Sequence, residues 1–155
     1  MIEHVWTVVC RQAVVDRETN LISLQAVFEG LQVYGEAPEG GIVPAQFDVA
    51  SLWIRSDNEI PAEGLTRVKL ISPSGNELLA SDNTRVNLVD TQRFRTITHF
   101  PGFPSGESGR YIIRIELDQE GGRSSLIAGI PLMVEFLIPE RTSVEEEEGE
   151  PQTET

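Results

Sequence analysis

The stretch RYIIRIELD, residues 110–118, decides the fold class of this chain. Apolar side chains recur at every second position from Tyr111 to Leu117, and the positions between them include Arg114 and Glu116. A period of two residues is that of a β-strand with one buried face and one largely solvated face. The stretch therefore predicts a strand that lies against a hydrophobic core.

Other runs repeat this alternation. In TRVKLI, residues 66–71, valine and leucine alternate with charged residues. In SLIAGIPLMVEFLI, residues 125–138, every second residue from Leu126 to Phe136 is predicted to face the core. Pro131 has no N–H to give to a neighbour, so this long run is predicted to be an edge strand or to be bulged near the proline. Further strands are predicted over residues 5–14, 45–55, 76–81 and 93–100.

The segment ISLQAVFEGL, residues 22–31, fits two periods. Leu24, Phe28 and neighbouring apolar residues have helical spacing, but they also alternate as in a strand. We favour the strand, because the neighbouring runs are all extended. Such a strand, continuing into residues 31–35, would pair with residues 5–14.

Polar side chains concentrate between the first two predicted strands, in VVDRETNLIS. Asp16, Glu18 and Asn20 lie between an apolar run that ends at Val15 and another that begins at Leu21. Asp and Asn hydrogen-bond their own backbone in turns and tolerate positive φ. We interpret the cluster as a chain reversal and not as a metal site.

These short alternating runs, separated by Gly, Pro, Asn and Asp, predict an all-β protein of about seven to eight strands. The expected architecture is an antiparallel β-sandwich, Ig-like or C2-like. The predicted domain covers residues 1–139. Residues 140–155 hold seven acids and one base without an aromatic residue, so this acidic tail is predicted to be disordered.

Composition narrows the partners and the compartment. The net charge is −13, and no basic stripe is present that would neutralise nucleic-acid phosphates. No apolar run reaches the roughly 18–20 residues of a membrane helix, and the first residues do not resemble a secretion signal. The single cysteine, Cys10, cannot form an internal disulfide. We predict a cytoplasmic protein that binds neither nucleic acid nor membranes.

The sequence offers little to build an active site. Only His4 and His99 could serve as histidine bases, and no Gly-x-Ser-x-Gly motif supplies a nucleophile. One cysteine and two histidines in unrelated segments do not form a zinc ligand set. Cys10 lies in an apolar run without a basic neighbour, which is typical of an inert buried thiol. We therefore predict no enzymatic activity and no cofactor.

Loop acids are the candidates for a metal. Asp57, Asp82 and Asp118 lie in three different predicted loops. C2-type domains collect carboxylates from loops at one end of the sandwich, and hard oxygen ligands suit Ca²⁺. A weak calcium site at these three residues is thus one hypothesis.

Loop aromatics are the candidates for an interaction site. Phe100 and Phe103 lie in FPGFPSG, a loop rich in proline and glycine. Exposed rings on a rigid loop can anchor a protein or stack on a sugar. The alternative is that both rings cap the end of the core.

The chain also resembles a known family through a series of ordered landmarks. They are Trp6 with Cys10, the pattern D..TN..SL at residues 16–24, SPSG at 72–75, GRYIIRIELD at 109–118 and PLMVE at 131–135. This order is similar to that of a family of small uncharacterised bacterial proteins, a domain of unknown function. The resemblance implies a bacterial, cytosolic, single-domain β-sandwich, and it implies no reaction and no site residues.

Together these observations predict a non-catalytic protein-interaction or scaffold module. The long strand Leu126–Leu137, as a sheet edge, would offer backbone groups for β-augmentation by a partner protein or for self-association. The alternative is a sandwich that binds a small ligand, such as Ca²⁺, carbohydrate or lipid, through the loop acids and loop aromatics.

Overall fold

The computed structural model describes residues 1–35, 40–119 and 124–137. Every regular element in these residues is a strand, which confirms the all-β prediction and the strand favoured at the start of 22–31. Twelve strands are present, whereas the sequence predicts about seven to eight. The predicted acidic tail and the last residues of the predicted domain lie outside the described residues.

The strands are β1 (Ile2–Val15), β2 (Ile22–Val27), β3 (Gly30–Tyr34), β4 (Ile42–Val43), β5 (Phe47–Arg55), β6 (Ala62–Ile71), β7 (Glu77–Ala80), β8 (Thr84–Leu88), β9 (Arg93–Phe100), β10 (Phe103–Pro104), β11 (Gly109–Asp118) and β12 (Ser125–Leu137).

Ten of these strands form two large sheets. The four-stranded sheet has the order β2-β1-β5-β9, and the six-stranded sheet has the order β3-β12-β11-β6-β7 with β8 also paired to β6. The strands β4 and β10 form a small separate ladder. All pairs are antiparallel except β3 with β12, which is parallel.

One hydrophobic core is shared by the two large sheets. It includes Phe47 and Trp53 of β5 in the four-stranded sheet and Ile113 and Ile115 of β11 in the six-stranded sheet. In β11 the alternate residues from Tyr111 to Leu117 are buried and those between them are half-buried, as their period predicts. Each fully buried large apolar side chain contributes about 1.5–3 kcal/mol relative to an exposed one.

The polar segment between β1 and β2 is the predicted reversal. The carboxylate Oδ1 of Asp16 accepts hydrogen bonds from the backbone N–H groups of Glu18, at 2.9 Å, and Thr19, at 2.7 Å. Asn20 has a φ of 55°, the left-handed conformation that asparagine tolerates. These bonds hold the pKa of Asp16 below its usual value, chiefly through the Thr19 N–H.

The chain changes sheets directly after β2. The N–H of Phe28 bonds to the carbonyl of Val9, at 3.2 Å, and its half-buried ring packs against the core. The next strand, β3, then pairs with Met133–Leu137 of β12. The prediction that residues 31–35 would pair with β1 is therefore wrong. As part of the six-stranded sheet, β3 places Val33 in the core, where it is 2% exposed.

The strand β12 corrects two further expectations. It is not an edge over its whole length, because β3 pairs with its second half; in the described residues only the half that holds Pro131 pairs with β11 alone. The bulge lies at Ile127 and not at the proline, since Ile115 pairs with Ala128 and the next residue pairs with Leu126. The extra residue turns Leu126 outward, where it is 61% exposed.

Candidate functional site

The two loop phenylalanines belong to the core. Phe100 is 6% exposed and Phe103 is 0% exposed. Phe47 stacks on Phe100 with ring centroids 4.9 Å apart, and Phe103 meets Tyr111 at 5.2 Å and Phe136 at 6.2 Å. Of the two hypotheses for these rings, the exposed anchor is wrong, and burial of both rings in the core supports the cap.

Gly102 shows why this loop turns inward. A β-carbon added to Gly102 would lie 2.6 Å from the carbonyl oxygen of Val43 and 2.3 Å from a methyl carbon of Ile42. Only glycine permits such a close approach of β4 and the loop. The approach allows β4 to pair with β10, which carries Phe103 into the core.

The three loop acids are not gathered into one site. Asp57 accepts the N–H groups of Glu59 and Ile60 in the loop before β6, and Asp118 pairs with Leu65 near the same end of the six-stranded sheet. Asp82 instead lies beside the middle of β6. Within the described residues no group of three or more His, Cys, Asp or Glu side chains could hold a metal ion.

A cleft lies between the two large sheets on the side of β9. One wall is the second half of β9, and the other wall is β7 with the start of β8. Its volume is about 460 Å³. The lining residues are Leu79, Ala80, Ser81, Asp82, Thr84, Ile97, Thr98, His99, Phe100 and Pro101.

Both walls are sheet edges. Within the described part of the chain, β9 pairs with β5 alone and β7 pairs with β6 alone. A strand that is paired on one side leaves every second set of its N–H and C=O groups without a strand partner. The cleft therefore lies between two strands that can each accept another strand.

A buried carboxylate stands behind the β9 wall. Asp48 of β5 is 5% exposed and lies between Cys10 and His99 in the register of the sheet. Its Oδ1 is 2.7 Å from Nδ1 of His99, and its Oδ2 accepts the N–H of Ala13 at 2.8 Å. The His99 side chain is 56% exposed. Because Phe47 and Phe100 pair on the core face of this sheet, Asp48 and His99 lie together on its outer face.

The other wall carries an unused carboxylate. Asp82 is exposed, and among the described residues its carboxylate has no hydrogen bond or ion pair. The Nε–H of Arg67 donates to the carbonyl of Ser81, the residue before Asp82, at 2.9 Å. The acid is available to a molecule in the cleft.

Cys10, His4 and the hydroxyl groups bonded to His4 lie outside the cleft. Cys10 is 0% exposed, and burial, aided by the charge of Asp48, raises the pKa of its thiol. His4 bonds through Nε2 to Thr7, which in turn bonds to Ser51, each at 2.7 Å. Burial lowers the pKa of His4, and Ser51 is 2% exposed. No solvent-exposed nucleophile accompanies either histidine among the described residues.

One feature of the sequence singles out Asp48, although the strand pattern alone does not. It is the single acid in the apolar strand FDVASLWI, and an acid in a buried strand requires hydrogen-bonding partners. Its hydrogen-bond partners Ala13 and His99 are distant in sequence, so only the folded sheet identifies them.

Comparison with protein-family models gives no match for the chain, and comparison with curated proteins gives none either. The bacterial family resemblance therefore stays a prediction. In the part of the chain that the structure describes, there is no helix of the length and hydrophobicity that would cross a membrane.

Proposed function

We propose that this protein is a non-catalytic interaction module, a β-sandwich of Ig-like or C2-like type, that binds an extended segment of a partner protein between β7 and β9. The observation that carries the proposal is a cleft with an unpaired strand edge on each wall. In β-augmentation the backbone groups of an edge strand supply affinity, and side-chain pockets supply specificity. The cleft offers both.

The dimensions of the cleft support an extended occupant. The wall formed by the end of β9 and Pro101, from Ile97 onward, spans about 13 Å, at about 3.3 Å per residue. The volume of about 460 Å³ falls in the ordinary range of binding clefts, about 300–1,000 Å³. Leu79 and Phe100 supply apolar surface, and Thr84 and Thr98 supply hydroxyl groups.

The edge predicted from sequence is free only in part. The second half of β12 is already paired by β3, so it cannot receive a partner strand without displacing part of the chain. The first half pairs with β11 alone among the described residues, and it holds Pro131, a residue typical of edges that stay unpaired. The edges at β7 and β9 require no displacement of any described strand.

The test uses a displayed library of random peptides of about ten residues, which span about 33 Å when extended. We expect selection on the full chain to recover binding peptides that protect backbone amides of β7 and β9 from hydrogen exchange. Recovery of no peptide, or protection confined to other strands, would overturn the proposal.

A matched pair of substitutions tests the position. Thr98→Trp fills the cleft from a half-buried position on the face of β9 that is turned toward the six-stranded sheet, and Gln25→Trp places the same side chain on β2, at the other edge of the four-stranded sheet. We expect Thr98→Trp to weaken peptide binding at least about tenfold, which is about 1.4 kcal/mol, and Gln25→Trp to leave it unchanged. If light scattering showed that Thr98→Trp only converts a dimer into a monomer, self-association would replace peptide binding as the function of the cleft.

A further inference from the structure

We infer that the β1–β2 hairpin beyond Cys10 is a lid, which Arg95 and Asp48 hold over the outer face of the four-stranded sheet and which opens while the sandwich stays folded. The hairpin, residues 11–26, is hereafter the arm. The inference concerns the face opposite to the core, and it does not rest on the proposed function.

The arm does not continue in the plane of the sheet. Trp6 of β1 and Arg95 of β9 both pair with Leu52 of β5, so they lie at the same height in the sheet. A straight hairpin would place its turn about ten residues beyond that height, or about 33 Å away. Yet the guanidinium of Arg95 donates to the backbone carbonyl of Asn20 in the turn, at 2.7 Å, and to the side-chain oxygen of the same residue. The arm therefore folds back over the sheet.

The face on which the arm lies is turned away from the core. Phe47 and Val49 of β5 belong to the core. Asp48 and Ala50 alternate with them along the strand and therefore point outward. The Oδ2 atom of Asp48 accepts the N–H of Ala13, which belongs to the arm, at 2.8 Å. This bond fixes the base of the arm to the outer face, as the guanidinium fixes the turn.

Burial on the outer face shows what the arm covers. Ala50 and Cys10 are 0% exposed, although Ala50 points outward and Cys10 pairs with the outward-pointing Asp48. On the arm, the paired residues Ala13 and Leu24 are half-buried, and their neighbours on either side are exposed. One face of the arm is thus turned to the sheet, with Ala50 and the thiol of Cys10 beneath it.

Strand pairing does not hold the arm to the sheet. Among the described residues, β1 beyond Cys10 pairs with β2 alone, so the closed position depends on contacts between side chains and on the bonds at the two ends. Where the arm bends, Ala26 has a φ of 50°, a left-handed conformation that alanine seldom adopts. A segment outside the ladder of a sheet opens at a lower free energy than the core strands.

Cys10 reports the opening, because it is the single cysteine of the chain and lies beneath the arm. Iodoacetamide reacts with the thiol only when the thiol is exposed, so the labelling rate measures the population of the open form. We expect labelling to be faster than global unfolding allows. Its rate should hardly change in low urea, since opening the arm exposes little surface. A rate equal to that of global unfolding, with the full urea dependence, would overturn the inference.

The contact at the turn is tested by two arginines of the same strand. Arg93 lies on the same face of β9 as Arg95, and its side chain has no hydrogen bond or ion pair within the described part of the chain. We expect Arg95→Gln to raise the labelling rate about three- to tenfold, because the bonds to Asn20 are lost, and Arg93→Gln to leave it unchanged. Asn20→Gly keeps the left-handed turn and removes one of the two acceptors, so it should give a smaller increase. Equal rates for the two arginine variants would mean that Arg95 does not hold the arm closed, and the inference would fail.

Hydrogen exchange gives a measurement that does not depend on the thiol. The amide of Ala13, which is bonded to Asp48, should exchange at the same low free energy as the labelling of Cys10. The amide of Ile113, in the middle of the six-stranded sheet, should exchange only on global unfolding. If the Ala13 amide were as protected as that of Ile113, the arm would unfold only together with the core, which contradicts a lid.

Discussion

The two sides of this molecule close the gap between the sheets differently. On the side of β2 and β3, hereafter the closed side, the backbone itself crosses from sheet to sheet, and Phe28 and Val33 enter the core as it does so. On the side of β7 and β9, hereafter the open side, β8 connects to β9 at one end, where Arg55 donates to the carbonyls of Leu88 and Val89. Beyond that connection the walls form the cleft.

The closed side contributes to the stability of the fold, whereas the open side leaves surface that a partner can contact. Where the chain crosses, its apolar side chains are committed to the core, and a change there costs folding free energy. On the open side no described segment crosses between β7 and β9, so the gap between the two sheets remains as a cleft whose walls can contact a partner. The predictions below test whether this division holds.

The largest effect is expected at the end of the core that the two sides share. Phe103→Ala should lower the free energy of unfolding by about 3–5 kcal/mol, because a fully buried ring between Phe47, Tyr111 and Phe136 is lost. Urea denaturation measures the change. Tyr34→Ala, at an aromatic that is 68% exposed, is the control and should change stability little. A loss below about 1 kcal/mol for Phe103→Ala would mean that this end of the core is loosely packed.

The next effect compares the two sides directly. Val33→Ala on the closed side should cost about 2 kcal/mol, through the lost methyl groups and the cavity they leave. Ala80→Trp on the open side adds a large side chain to an exposed position and should change stability by less than about 0.5 kcal/mol. If both variants lost similar stability in urea, the open side would be as much a part of the folded core as the closed side.

A smaller effect is expected for the carboxylate behind the cleft. Asp48→Ala removes the acceptor of the Ala13 N–H and the partner of His99, and should cost about 1–2 kcal/mol. Thermal unfolding monitored by circular dichroism is suitable, with Asp90→Ala as the exposed control. Equal melting temperatures of the two variants would show that solvent replaces both bonds at Asp48.

The smallest effect is expected at the β1–β2 turn. Asp16→Ala should lower the melting temperature by about 1–2 °C near neutral pH. Because the pKa of Asp16 lies below the ordinary 3.8, its stabilisation is complete above that pH and is lost as the pH falls through the lowered value. The melting temperatures of the two proteins should therefore converge as the pH falls through that lowered value. A gap that persists in acid would assign the effect to backbone propensity and not to the carboxylate.

Much of the fold follows from local pattern. The strand period of residues 110–118 and the turn chemistry of Asp16 and Asn20 are written in adjacent residues, and both are confirmed. The sequence pattern did not predict β3 as a separate strand, nor β4, β8 and β10. The strands β4 and β10 have two residues each and are too short to show any period.

The remaining differences arise where a distant segment decides. Whether residues 31–35 pair with β1 or β12 depends on which sheet buries Val33, and one bulge at Ile127 is enough to turn Leu126 outward. The candidate site also consists of residues that are distant in sequence. Asp82 was predicted as an acid in a loop, but its place across the cleft from β9 depends on both sheets at once.

The parallel pairing of β3 with β12 also bears on the order in which the protein folds. A side-chain hydrogen bond in this ladder joins Gln32 to Glu135 across 103 positions of the chain, whereas the β1–β2 hairpin forms from adjacent residues. Long-range contacts have the largest loop-closure entropy to overcome and slow folding. During synthesis, β3 can pair only after β12 has been translated. The closed side is therefore expected to be the last part of the protein to fold.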